Sequence, residues 1–351
     1  MIEERDLDAA VAAGILDAAT RERLVVFTRD LHRGMAGPDE EQFRLLTGFN
    51  DIFVSIAIGL VLFALGSLAG GLGAVAVAAA SWGLAEYFTR KRRMALPSIV
   101  LLLAFVGAMF GFGLGLQHGL GDETDFNALA SFSVGNPNAD IGVFLLGSTL
   151  AALAAAAHWW RFAVPITIAA GAGAASLLII LLAGGMVASM LGTAAGFELV
   201  VALCGFAVFA LAMWFDSRDL ARVTRRTDVA FWLHLLAAPM IIHPVFSVSG
   251  LSDGKTGPGA AIAVVVLYLV LTVLALAIDR RALLVSALGY VIYAINALVG
   301  RGEDVSESFG LTALVIGLFL VLLSAAWRPV RGAVLNLLPA GLRARLPVAM
   351  A

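Results

Sequence analysis

The chain has 351 residues, 61% hydrophobic and 14% charged, with a mean hydropathy of +0.95 and a formal net charge of -2. That is too apolar for a soluble globular domain, in which charged residues alone approach about a quarter of the total, so the bilayer is the expected solvent. No basic surface for nucleic acid is implied, and a single cysteine, Cys204, excludes an intramolecular disulfide and a CxxC metal or redox site.

Residues 1–48 carry both charge signs and no apolar signal-peptide core, so the first span is expected to direct its own insertion. Leu7 to Ala13 reads as a short helix ended by Gly14, and Asp17 as the N-cap of a second helix reaching about Leu31, with Leu24, Phe27 and Leu31 along one side. Gly14-Ile15-Leu16-Asp17-Ala18-Ala19-Thr20 is similar to a helix-turn-helix, but its mixed charges suit a cytoplasmic cap rather than DNA. Gly34 to Gln42 is expected as a loop.

Ten apolar runs follow, at about 50–69, 72–88, 96–116, 141–158, 162–183, 193–214, 229–247, 259–278, 282–299 and 310–327. Each has roughly the 20 residues needed to cross about 30 Å of hydrocarbon at 1.5 Å per residue. Arg90, Lys91, Arg92 and Arg93, between the second and third, cannot enter hydrocarbon and anchor one face as cytoplasmic. Counting crossings from that anchor puts 21 of the 23 Lys and Arg residues inside, and only Lys255 and Arg301 outside. A miscounted span would reverse every later loop, so the bias supports an even number of crossings with both termini cytoplasmic. Asn50 and Asp51 are placed to cap the first span, and Trp327 ends the last at headgroup level. Residues 329–351, with Pro339 and Pro347, read as an amphipathic tail in the inner interface, its arginines toward anionic headgroups.

Gly14-Ile15-Leu16-Asp17 before the second helix, with the spans running through Phe49-Asn50-Asp51 and Arg92-Arg93-Met94-Ala95-Leu96-Pro97, resembles uncharacterised bacterial families of predicted multi-pass membrane proteins that carry a short N-terminal helical hairpin. The resemblance covers the first third of the chain. It implies a bacterial inner membrane and carries over no activity and no functional residue.

Glycines 107, 111, 115 and 119 recur every four residues, which predicts a face for close helix packing, and the pairs Gly66/Gly70 and Gly192/Gly196 repeat the spacing. An ionisable group inside a span is costly unless it faces protein or water. Glu198, His243 and Asn296 all fall in the outer part of the membrane, and if spans six, seven and nine meet they would share a cavity able to relay protons or bind a cation. Pro239 and Pro244 add the chance of a broken helix whose freed carbonyls face a ligand. His234 and Glu86 read as interfacial, and Tyr268, Tyr290 and Tyr293 as mid-membrane hydroxyls. In the outer loop, Asp122, Glu123, Asp125 and Asp140 form an acidic patch; Asn136, Asn138 and Asp140 alternate as calcium ligands do, but lack the following Gly and distal Glu, so a solvated loop is expected.

No HExxH, GxSxG, Walker A or dinucleotide-binding GxGxxG in context appears, no loop is long enough for a catalytic domain, and no internal repeat stands out. No catalytic residue, cofactor or metal is expected. The sequence therefore predicts an all-α polytopic bundle of about ten spans, in three parts: a cap (1–48), the bundle (49–328) and the tail (329–351). It would sit in the inner membrane as a permease-like protein for a small solute or ion. The alternative is a non-transporting scaffold that docks a protein partner at its cytoplasmic face.

Overall fold

The computed structural model describes residues 4–35, 49–118, 141–193, 195–220, 222, 224–250, 258–299, 305–343 and 346. It divides into two compact units, Met1–Phe43 with Val348–Ala351, and Arg44–Pro347. In the first, α1 (Glu4–Ala12) ends at Gly14, whose φ of 71° a side chain would strain, and α2 (Ala18–Met35) follows. Asp17 Oδ1 accepts the amide hydrogen of Thr20, so the expected N-cap is present. These hydrogen bonds hold the Asp17 carboxyl below its ordinary pKa.

The second unit is all helical among the described residues: α3 (Phe49–Leu68), α4 (Gly73–Ala85), α5 (Ala95–His118), α6 (Ile141–Phe162), α7 (Ile166–Leu191), α8 (Ala195–Ser217), α9 (Arg225–Val248), α10 (Pro258–Ile278), α11 (Ala282–Val299), α12 (Val305–Ala325), α13 (Trp327–Leu337) and α14 (Ala340–Arg343). A 3-10 turn, Gly70–Leu72, leads into α4, and a π-helical turn, Glu86–Lys91, extends it. Helices α3 to α12 coincide in order with the ten expected spans. Eight of them are long and apolar enough to cross a membrane; α11 has a shorter apolar stretch, and α12 bends by 77° into α13. The outward faces are as apolar as the core, with Phe63 75% exposed and Leu60, Leu182 and Leu314 similarly bare, as suits helices whose solvent is lipid. The chain is a multi-pass integral membrane protein.

Contacts at the helix ends settle the alternation of direction. Arg161 at the end of α6 binds Glu86 at the end of α4 (2.6 and 2.9 Å). Leu102 near the start of α5 packs with Val164 and Ile166 at the start of α7. The ends of α8, α10 and α12 and the starts of α9 and α11 meet in one polar network, described below. All these termini share one end of the bundle, the basic end, as the charge count requires. Among the described residues, the four non-glycine positions with left-handed backbone, Arg93, Ala163, Arg222 and Asp279, occupy tight links at this end. At the opposite end the left-handed positions are glycines, Gly70, Gly192 and Gly250.

The expected glycine ridge is not a packing face: Gly107, Gly111 and Gly115 have open space where a Cβ would stand. Gly119, Lys255, Arg301 and the outer acidic and asparagine residues 122–140 lie outside the described residues. Close approach is made by Gly113, where a Cβ would come within 2.6 Å of the Gly147 Cα, and, within the two expected pairs, by Gly196 against Ala188 and by Gly66, whose carbonyl meets Gly73. Neighbours along a helix face do not reveal which face meets a backbone; α5 turns the Gly113 side to α6. At the start of the tail, Trp327 and Arg331 are almost fully buried within the protein.

Candidate functional site

Two polar clusters sit at opposite ends of the α8–α9 pair, about 27 Å apart along α8 at 1.5 Å per residue. The inner one begins with an electrostatic oddity. Asp216 and Asp279 stand at the C-terminal ends of α8 and α10, where the helix dipole disfavours a carboxylate. Each is held by guanidinium instead. Arg280, 1% exposed, grips Asp216 with two nitrogens, Nε to Oδ2 at 3.1 Å and Nη2 to Oδ1, and His234 Nε2 lies 2.9 Å from the same Oδ2. Arg222 Nη1 donates to Asp279 Oδ2 at 2.9 Å, and its Nη2 donates to the carbonyls of Ile278 and Asp279, satisfying the open end of α10. The Trp327 indole N–H donates to Asp279 Oδ1 at 2.8 Å, Arg331 lies 3.7 Å from that oxygen, and the Arg281 guanidinium covers the Trp327 ring at 4.8 Å. Asp219 accepts from the backbone and hydroxyl of Thr224 and from Thr227 Oγ1, setting the start of α9.

His234 is fully buried in the protein at this end, with Nδ1 lacking a hydrogen-bond partner. Glu86, by contrast, is partly exposed and shared between Arg161 and Arg90. Of the topology anchors, Arg90 bonds Glu86 and Arg92 bonds the Tyr87 hydroxyl. Another buried histidine, His158, sits near this end against Thr167, Trp82, Phe105 and Phe162, its Nε2 without a partner.

Of the three residues expected from the sequence to share a cavity, only Glu198 lines the cleft at the outer end. Glu198, in the first turn of α8, is 8% exposed and its Oε2 is buried without a hydrogen-bond partner. It lines a cleft of about 450 Å³ with Leu199 and Ala202 of α8 and Pro244, Val245 and Val248 of α9. On α11, the Tyr290 hydroxyl lies 3.4 Å from His243 Nδ1 of α9. Spans six and seven share this cleft, and span seven meets span nine at the Tyr290–His243 contact. Asn296 stands about 9 Å further along α11. Its Oδ1 is buried without a partner, and among the described residues no hydrogen bond ties it to Glu198 or His243. Asp51 is buried in the first turn of α3, Tyr268 is buried with its hydroxyl unpartnered, and Tyr293 is half exposed.

Helix α9 is not broken at its prolines; it runs continuously through Pro239 and Pro244. Each proline still removes one backbone donor, and Pro244 leaves the Met240 carbonyl without its helical partner. Gly205 of α8 meets α9 at that residue, where a Cβ would stand 2.9 Å from the Met240 Cβ. The two helices thus touch tightly at this level.

The fold and this pair of clusters define a polytopic membrane protein with a buried ionic lock at one end and an unsatisfied carboxylate in a cleft at the other. No protein-family model, no curated protein and no solved structure matches the chain.

Proposed function

We propose that the protein is a permease of the bacterial inner membrane, carrying a small solute or ion. Glu198 is the outer binding station, and the Asp216–Arg280 and Asp279–Arg222 pairs close the inner end. One observation carries this reading: a carboxylate oxygen buried without a donor beside a cleft between two spanning helices, an arrangement that burial penalises unless a proton or ligand completes it. The ionic lock supports it, since pairs between α8, α9 and α10 must open if the basic end is to open.

The test is flux. Pyranine-loaded proteoliposomes, with and without a pH gradient, are challenged with a panel of small cations, amines and neutral solutes. Solute-dependent movement that Glu198→Gln abolishes is the expected result; no movement of any solute or proton by the native protein overturns the proposal. The alternative, a scaffold that docks a partner through the N-terminal hairpin, draws on the exposed Ile15, Val26 and Phe27 of that separate unit. A stable complex lost on deleting residues 1–35, together with absent flux, favours it.

A further inference from the structure

The chemistry of the cleft narrows what it can hold. Glu198 is its only free polar group: the other, Ser249, already donates its hydroxyl to the Phe246 carbonyl at 2.8 Å. Among the described residues no cation pairs with Glu198, and no group of three or more His, Cys, Asp or Glu side chains could hold a metal ion. A hydrated inorganic cation would keep several oxygens around it, and this wall offers one carboxylate among aliphatic side chains. Leu199 and Val248, 47% and 59% exposed, leave apolar surface beside that carboxylate. The ligand that satisfies both demands carries one positive N–H donor and a short apolar body.

We infer that the α8–α9 cleft is a binding site for a small amphipathic ammonium, its N–H donated to Glu198 and its hydrocarbon part laid on Leu199, Pro244 and Val248. This rests on the permease reading and names its substrate class. Charge complementarity supplies the specificity: a neutral alcohol of the same shape finds an acceptor but brings no charge, and a carboxylate is repelled.

The experiment measures equilibrium binding of tritiated phenethylamine to the full-length protein in phosphatidylcholine–phosphatidylglycerol nanodiscs. Saturable binding is expected, displaced by hexylamine and not by hexanol or phenylacetate. Glu198→Gln should weaken it about tenfold or more, as loss of a charge-assisted hydrogen bond implies. Leu199→Trp, which keeps the carboxylate and fills the cleft, should also remove it, so a poorly folded Glu198 variant does not decide the matter. Binding that is absent in the native protein, or unchanged in both variants, overturns the inference. Displacement of phenethylamine when phosphatidylethanolamine is added to the disc also overturns it, by assigning the site to a lipid headgroup. Amine binding without flux would leave the site and remove the permease; flux of a neutral solute without amine binding would do the reverse.

Discussion

Replacing Arg280 by Met tests the inner lock most sharply. Arg280 is 1% exposed and both oxygens of Asp216 depend on it, so the variant leaves a buried carboxylate facing only His234. Breaking a buried pair from one side costs about 3–5 kcal/mol, because the remaining charge is neither solvated nor paired. Removing both members with Asp216→Leu and Arg280→Met takes away the stranded charge, and exchange for apolar residues is often close to neutral. The double variant should therefore be more stable than the sum of the two single losses predicts, by about 2 kcal/mol or more. The assay is reversible unfolding by SDS in mixed micelles, followed through tryptophan fluorescence. Arg161→Met, which breaks the solvent-facing pair with Glu86, serves as the control and should change little, since exposed pairs are screened. If Arg280→Met costs no more than Arg161→Met, or if the single losses simply add, the lock carries no energetic weight and the reasoning fails.

Further outcomes follow from single contacts. Gly113→Ala should destabilise by about 1–3 kcal/mol through overpacking on Gly147, whereas Gly107→Ala and Gly111→Ala, facing open space, should not; equal effects in the same unfolding assay would contradict the packing described. Trp327→Phe removes the indole donor from Asp279 while keeping much of the ring, and should cost about 1–3 kcal/mol. An unchanged unfolding midpoint would count against it. Thr224→Ala removes the N-cap of α9 and a bond to Asp219, for a loss of about 1 kcal/mol. Asp17 has a folded pKa below its ordinary value of 3.8, so its capping contribution is complete above that value and is lost as pH falls through the lower folded one. Hydrogen exchange at Thr20, compared with Asp17→Asn, should show protection that is pH-dependent only in the native chain.

The bundle was legible because its signals are local: runs of about 20 apolar residues, and cations sorted to alternate links. The outer cluster was partly legible, since Glu198 and His243 are anomalies within their own spans, but Tyr290 acquires meaning only beside His243. The inner lock was missed, although its signal is present. Asp216 and Asp279 sit at helix C-termini, where a carboxylate needs a cation, and Arg280 follows Asp279 directly. Which cation pairs with which acid is a tertiary fact: Asp279 binds Arg222, 57 residues away, and leaves neighbouring Arg280 to Asp216. Glycine spacing misled for a related reason, because a regular period marks a face and says nothing of what it meets.

Sidedness underlies every functional statement above, and the chain's two lysines read it out. Lys91 belongs to the basic end, and Lys255 to the link between α9 and α10 at the other. A membrane-impermeant amine-reactive reagent applied to spheroplasts, and separately to inside-out vesicles, followed by peptide mass spectrometry, should mark Lys255 only in the first and Lys91 only in the second. Modification of both lysines from the same side would contradict the alternation of helices and the outward placement of Glu198.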